Sequence, residues 1–133
     1  MSDELRSILP DGTEKYPDGS IDLLAIWGHG AFDGPGVAFL DVNEDHWFKN
    51  PLPDTNPDDL GAVIRRKLSP RGHLLLMGCC TVVADADMQR HKDNARELAT
   101  TIWHTINWNT GDVGGDGKGA GKWMPTDPAL PWW

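Results

Sequence analysis

A histidine and a cysteine each follow an apolar run in this chain, separated from it by one glycine. His29 comes after the run Ile21–Trp27, and Cys79 comes after the run His73–Met77. A free thiol has a pKa near ~8.5, so little of it is thiolate at neutral pH unless a histidine or backbone donors assist it. Cysteine and histidine residues that are distant in sequence and close in the fold can form the nucleophile–base pair of a cysteine peptidase. These two residues are therefore the first candidates for chemistry.

Two predicted strands must bring these residues together. Both apolar runs are continuous rather than alternating, which predicts strands that are buried on both faces of a sheet. Between them, the sequence from Asn56 to about Leu68 predicts a helix, with asparagine as cap, proline in the first turn and acids near its start. A strand–helix–strand unit of this length requires a right-handed crossover between parallel strands. The carboxyl ends of such strands meet at one edge of the sheet, where ligands bind.

Smaller elements are predicted around this unit. Glycine and proline clusters mark the turns, and apolar positions at helical spacing mark a second helix. The predicted elements are a turn-rich lead-in over 1–20, a sharp turn at Gly28–Gly30, a short strand at Val37–Val42, a loop from His46 to Pro57, a turn at Ser69–Gly72, a helix from Asn94 to about Asn107 and a glycine-rich loop or poor hairpin at Gly111–Gly121.

The pattern of an apolar strand, His-Gly, a helical spacer, and a second apolar strand ending on a small residue and Cys resembles the caspase-like cysteine peptidases. This superfamily includes caspases, gingipains and separases, and the bacterial members look most similar because several carry Gly-Cys before a small or polar residue. The resemblance covers about Ile21 to Gly115. It is specific at His29, Gly30, Gly78 and Cys79.

The resemblance implies a fold class and a division of the chain. It implies an α/β three-layer sandwich with a mostly parallel sheet, in a reduced caspase-like topology. Residues 1–133 are then a single caspase-like domain, with a lead-in at 1–20, a catalytic core at 21–110 and a Gly/Pro/Trp-rich C-terminal segment at 111–133.

The same resemblance implies a role for each site residue. Cys79 is the expected nucleophile that forms the acyl-enzyme, and His29 is the expected base and proton donor. The backbone amides of Gly30 and Cys79 are expected to form the oxyanion hole. The predicted function is a cysteine endopeptidase that works without a cofactor on a protein or peptide substrate, including its own chain.

The substrate pocket is less well defined. Met77 lies two residues before Cys79, where caspases carry glutamine, and an apolar residue there favours an apolar or long substrate side chain over aspartate. Asp85 is a second candidate, because an acid near the catalytic edge could hold Arg or Lys. A solvated loop position explains Asp85 equally well, as it does the other acids of this kind, Asp87, Asp112 and Asp116.

Other interpretations of the thiols stay open. Cys79 could be a buried strand-end cysteine, and Cys80 could replace it as nucleophile, although strand alternation directs Cys80 to the other face. A zinc site built from both cysteines with His73 or His91 is disfavoured, because adjacent cysteines rarely bind one ion. The chain could also be a catalytically silent caspase-like binding or assembly module, or an unrelated α/β binding protein.

Composition limits the partners. The chain has 12 Lys and Arg against 20 Asp and Glu, a formal charge of -8, which disfavours nucleic acid and anionic membranes. The two cysteines are adjacent, so a structural disulfide is not expected and the default setting is reduced. No run is long enough to cross a membrane and no signal pattern opens the chain, which predicts a cytoplasmic protein.

Three further expectations bear on assembly and packing. Only about twenty residues precede the His29 strand, where caspase-like domains have a strand–helix–strand block. The sheet is therefore either trimmed or completed by a dimer or a partner chain. The cations Arg65–Lys67 are expected to form a solvated helix end, and the seven tryptophans are expected to lie mostly in the core.

Overall fold

The fold comes from a computed structural model that describes residues 1–30, 36–38, 47–49, 56–57, 59–78, 88–110, 118 and 121–129. Three helices and seven strands lie in these ranges. The helices are α1 (Ser2–Leu5), α2 (Leu60–Lys67) and α3 (Met88–Ile102). The strands are β1 (Ile21–Trp27), β2 (His29–Gly30), β3 (Gly36–Ala38), β4 (Trp47–Lys49), β5 (Leu68–Met77), β6 (Thr105–Asn109) and β7 (Trp123–Thr126).

The main sheet has four strands in the order β1-β5-β6-β7. β1, β5 and β6 are parallel, and β7 is antiparallel to β6. The chain is therefore an α/β protein, as the sequence predicts. The parallel pair β1 and β5, joined through α2, confirms the predicted strand–helix–strand unit. A second sheet of three short antiparallel strands has the order β2-β3-β4.

One face of the main sheet forms the core. Ile26 of β1 lies beside Leu76 of β5, and Leu74 of β5 lies beside Ile106 of β6, in the register of the parallel strands. Apolar side chains of all three helices belong to the same buried cluster as these strand residues, so the described helices cover this face. The helical members are Leu5, Val63, Ile64, Ala95, Leu98, Ala99 and Ile102.

The prediction that both apolar strands are buried on both faces is wrong for β1. Its alternate residues Leu23, Ala25 and Trp27 are exposed, and the side chains of Leu23 and Trp27 keep 57% and 59% of their accessible surface. Leu75 and Met77 are only half-buried on the neighbouring strand. A continuous apolar run shows that each position tolerates burial, whereas the number of packed layers decides which positions are buried.

Helix α3 begins and ends earlier than predicted. The sequence predicts a helix from Asn94 to about Asn107, but the structure has α3 at Met88–Ile102 and a strand at Thr105–Asn109. The helix ends at Ile102, because the next residue, Trp103, has a positive φ of 57° that turns the backbone. His104 N–H donates to the Ala99 carbonyl, as in a Schellman cap. Thr105–Asn107, which the sequence places in the helix, instead pair with β5 as part of β6.

Other element boundaries also differ. Helix α2 begins at Leu60 with Asp59 at the cap position, not Asn56. The predicted turn at Ser69–Gly72 is part of β5, and its glycine is needed because a Cβ there would lie 2.7 Å from the Ile21 carbonyl oxygen. β4 lies in the predicted loop, and β7 lies in the Gly/Pro/Trp-rich C-terminal segment, where no strand is predicted.

The lead-in packs against α2 through a buried lysine. Lys67 Nζ donates to Asp18 Oδ1 at 2.8 Å and to Glu14 Oε1 at 3.1 Å, and the lysine side chain is 1% exposed. Gly19 N–H also donates to the Arg66 carbonyl at 3.0 Å. The prediction of a solvated helix end is therefore wrong for Lys67, because acids far away in sequence cover it.

Two more predictions concern packing and membranes. Of the four tryptophans whose side chains are described, only Trp108 is buried, so the expectation of mostly core tryptophans is wrong for Trp27, Trp103 and Trp123. In the part of the chain that the structure describes, no helix is long and apolar enough to cross a membrane.

Candidate active site

The candidate site lies at the carboxyl ends of β1 and β5. Trp27 and Met77, the last residues of the two strands, are Cα partners in the parallel register. Gly28 N–H then donates to the Met77 carbonyl at 3.5 Å. Neighbouring strands lie about 4.8 Å apart, so the two chain segments leave the sheet side by side.

The next residues along each segment are the predicted catalytic ones. His29 is the second residue after Trp27, and Cys79 is the second residue after Met77. The strand ends are therefore level, with one glycine on each before the candidate residue. Gly78 is buried, and it is the last described residue before Cys79.

The structure describes the predicted site residues to different extents. His29 and Gly30 are described as backbone of β2, where they pair with Ala38 and Val37 of β3. Met77 is described fully and is half-buried at the end of β5. The predictions for the other positions fall outside the described residues, namely Cys79, Cys80, Asp85, Asp87, Asp112 and Asp116.

The three-stranded sheet begins within the turn predicted at Gly28–Gly30. The chain enters β2 immediately after Gly28, and β2 pairs antiparallel with β3, which pairs with β4. β3 contacts both β1 and β5. The backbone at His29 and Gly30 is thus held by strand pairing beside the carboxyl edge. The predicted sharp turn at Gly28–Gly30 is present only as a bend at Gly28. Two- and three-residue strands leave too short a pattern for the sequence to reveal.

An exposed tryptophan adjoins the site and has no role in the sequence prediction. Trp27 is 59% exposed, and its Cα partner is Met77. The two residues point to the same face of the sheet, because partners in a parallel pair share a face. Their position gives the carboxyl edge an apolar surface next to His29. The register of β1 with β5 identifies Trp27 as a neighbour of the candidate site. The apolar run in the sequence does not reveal this register.

His73 lies on β5, four residues before Met77, and therefore away from the carboxyl edge of the sheet. It is exposed on β5, and its Nδ1 accepts a hydrogen bond from Asn107 Nδ2 at 3.1 Å. No group of three or more potential metal ligands occurs among the residues that the structure describes. Because Cys79 and Cys80 fall outside them, the zinc interpretation stays untested.

A large groove lies on the opposite side of the sheet from β1. It has a volume of about 1080 Å³ and runs between α3 and β7. Trp108 and Met124 form part of its apolar wall, and Lys92 and Arg96 of α3 bring two cations to it. The groove shares no residue with the carboxyl ends of β1 and β5.

Comparison of the chain with protein-family models, with curated proteins and with solved structures finds no match.

Proposed function

We propose that this protein is a cysteine endopeptidase that hydrolyses peptide bonds with a Cys79–His29 dyad. The observation that carries the proposal is the level ending of two adjacent parallel strands, with Trp27 opposite Met77 and the candidate residues two positions further on. Level strand ends at a shared edge are what a nucleophile–base pair needs if its members come from different parts of the sequence.

The proposed reaction has two steps. His29 takes the proton of the Cys79 thiol, the thiolate attacks the substrate carbonyl carbon, and the resulting oxyanion accepts hydrogen bonds from the amides of Gly30 and Cys79. When the intermediate collapses, His29 donates a proton to the departing amine and a thioester remains on Cys79. His29 then takes a proton from water, and the hydroxide attacks the thioester carbon. The C–S bond breaks, His29 returns the proton to the Cys79 sulfur, and the carboxylic acid leaves. No cofactor is needed.

Strand pairing at β2 supports the oxyanion hole in this proposal. Oxyanion donors must be held rigidly where the negative charge develops, because donors that have to reorganise lose much of their effect. Gly30 lies in β2, where it pairs with Val37 of β3, so strand pairing positions its backbone, and the proposal requires its N–H to point away from β3. A glycine there also allows the substrate to approach the backbone closely.

The fold that belongs to this proposal is a reduced caspase-like domain. The four-stranded sheet and its helical layer support this, and the three-layer sandwich requires a further layer on the face that carries Leu23 and Trp27. We propose a cytoplasmic enzyme related to bacterial caspase-like peptidases, which acts on protein or peptide substrates or on its own chain and not on nucleic acid or membranes.

The pocket proposal follows from the end of β5. Met77 and Trp27 give the carboxyl edge apolar surface, which favours a substrate with an apolar or long side chain before the scissile bond. Asp85 stays a candidate for binding a basic side chain. A library that varies this substrate position separates the two pockets.

The test compares three variants with the wild-type protein. Wild type, Cys79→Ala, Cys80→Ala and His29→Ala are incubated with a mixed peptide library, and cleavage is read by mass spectrometry. Cleavage should be lost in Cys79→Ala and His29→Ala, by about 10³-fold or more, and kept in Cys80→Ala, which is the matched thiol control. Equal loss in both cysteine variants, or cleavage by Cys79→Ala, contradicts the dyad.

A binding or assembly module without catalysis is the second candidate. The groove between α3 and β7 supports it, because its volume of about 1080 Å³ is slightly above the range of about 300–1,000 Å³ typical of ligand sites, and it lies apart from the strand ends. Folded wild-type protein that cleaves no library peptide, and whose two thiols react with iodoacetamide at the same slow rate, would favour this module over the peptidase.

A further inference from the structure

The two edges of the main sheet differ in how they are protected. β7 is the edge strand on one side, only four residues long, and it contains Pro125. β1 is the edge strand on the other side, seven residues long, and after Asp22 it continues as Leu23, Leu24, Ala25, Ile26 and Trp27. Short length and proline are devices that block edge pairing, and an apolar stretch without charge or proline is a template for another strand.

The outer edge of β1 carries hydrogen-bonding groups at alternate residues that pair with no strand of the described ranges. Gly28 N–H faces β5, because it donates to the Met77 carbonyl. Direction alternates along a strand, so the backbone groups of Leu23, Ala25 and Trp27 face away from β5. Among the described residues, no strand pairs with this side of β1. The exposed side chains of Leu23 and Trp27 lie on the same residues.

From these features we infer that β1 pairs antiparallel with β1 of a second copy of this chain, across a two-fold axis at Ala25. The two four-stranded sheets then join into one continuous sheet. In this register Ala25 faces its own copy, and Leu23 faces Trp27 of the second copy. Because all three residues carry outward-facing groups, each of these pairs exchanges both of its N–H···O bonds.

Side-chain complementarity favours a second copy as the occupant. Leu23 and Trp27 lie at equal distances from Ala25 along the strand. The two-fold axis therefore places Leu23 of each copy opposite Trp27 of the other copy. Aromatic–aliphatic cross-strand pairs of this type stabilise antiparallel sheets. On the core face the same register pairs Leu24 with Ile26.

Charge also favours this arrangement. Asp22 is the only charged residue of β1, and it lies near one end of the strand. Antiparallel pairing on Ala25 places it opposite Gly28 of the second copy, whereas parallel pairing would set two Asp22 carboxylates side by side, where they would repel each other.

Because the contact is little more than one strand pair, it falls below the standard interface area of about 800 Å² per partner, and the dimer should form in the micromolar range or weaker.

Sedimentation over about 10 µM to 1 mM tests the inference. The wild-type protein should pass from monomer to dimer as its concentration rises. Leu23→Lys should weaken the dimer about tenfold or more, because it places a charge on the edge. Ile8→Lys is the matched control, since Ile8 is 59% exposed and lies outside β1, and it should leave the dimer unchanged.

A cross-link fixes the register. Ala25→Cys in a Cys79→Ser, Cys80→Ser background should oxidise to a covalent dimer, because residues of a hydrogen-bonded pair have Cα atoms about 5.5 Å apart, within disulfide range. Ile8→Cys in the same background should cross-link no faster than random collision. A wild-type chain that stays monomeric, a dimer that Leu23→Lys leaves intact, or equal cross-linking at both positions overturns the inference. Since the background lacks the Cys79 thiol of the proposed dyad, the outcome is independent of peptidase activity.

Discussion

Lys67 shows how one residue can join two parts of this chain. Its ammonium is buried between Glu14 and Asp18, which belong to the lead-in, while the lysine ends helix α2. Burial alone would lower the pKa of Lys67, but the hydrogen bonds to Asp18 and Glu14 outweigh it and raise the pKa above its ordinary value of 10.5. The hydrogen bond from Lys67 lowers the pKa of Asp18 below 3.8. The lead-in is thus attached by an ion-pair cluster as well as by Leu5.

Lys67→Met is expected to reduce the free energy of unfolding by about 1 kcal/mol near neutral pH. Methionine keeps the apolar stem, and the two carboxylates are half-exposed, so solvent replaces much of what they lose. Urea unfolding of both proteins measures the difference. Lys122→Met, at an exposed position, should change the stability by less than about 0.5 kcal/mol.

The pH dependence of the Lys67→Met effect follows from the two pKa shifts. The pKa of Asp18 is lowered on folding, so its contribution is present above pH 3.8 and is lost as the pH falls through the folded-state value. The pKa of Lys67 is raised, so its contribution is present below pH 10.5 and is lost as the pH rises through the folded-state value. The stability difference should therefore be largest between about pH 4 and pH 10 and shrink on both sides. A difference that fails to shrink below about pH 4 and above about pH 10 would contradict the ion-pair explanation.

At the scale of elements, the pairing of β1 with β5 determines the candidate site. The register shifts between Ile21 and Leu23, and from Leu23 to Trp27 it runs without interruption to the level strand ends. Gly72 lies at the irregular end, where it meets the Ile21 carbonyl and the backbone of Ser69. Ser69 Oγ also donates to Asp22 Oδ1 at 2.7 Å. The start of the strand pair is therefore closely packed, and its end carries the candidate residues.

Gly72→Ala is expected to destabilise the protein by about 1–3 kcal/mol. The new Cβ would lie 2.7 Å from the Ile21 oxygen, and backbone atoms cannot move aside as the end of a flexible side chain can. Thermal unfolding followed by circular dichroism measures the loss. Arg71→Ala, one residue earlier and exposed, should stay within about 0.5 kcal/mol of wild type. Equal stability of both variants would show that the strand start adjusts freely.

At the scale of the whole molecule, the sheet is covered on one face by the described helices, and no described strand pairs with the outer edge of β1. Parallel strands are usually buried on both faces, so exposed Leu23 and Trp27 stand out against the rest of the sheet. Pairing between two copies would cover the edge and part of this exposed surface. It would also bring the start of β1 of the second copy close to the end of β1, where the candidate site begins.

Hydrogen exchange should report this pairing at single residues. The amides of Leu23, Ala25 and Trp27 face outward, so they should exchange rapidly in dilute protein and slow down by about tenfold or more when the dimer is populated. Leu74 and Ile106 lie in the interior of the sheet and should stay protected at every concentration. Outward amides that exchange equally fast at about 10 µM and 1 mM would contradict pairing through β1.

The sequence by itself determined the α/β class, the β1–α2–β5 unit and the placement of His29 and Cys79 after two parallel strands. These features depend on local patterns, namely two apolar runs and a capped amphipathic segment between them, together with the handedness of crossovers. The identification of Cys79 as nucleophile stays a prediction, because it falls outside the described residues.

Only the tertiary structure decided which face of the sheet is buried, where α3 ends and how Lys67 is neutralised. Each of these depends on partners far away in sequence. Asp18 lies 49 residues from Lys67, and Thr105–Asn109 form a strand because they pair with β5. The hydrophobic periodicity of a segment reflects interactions between residues that are close in sequence. Burial, register and ion pairing between distant segments are set when the layers pack.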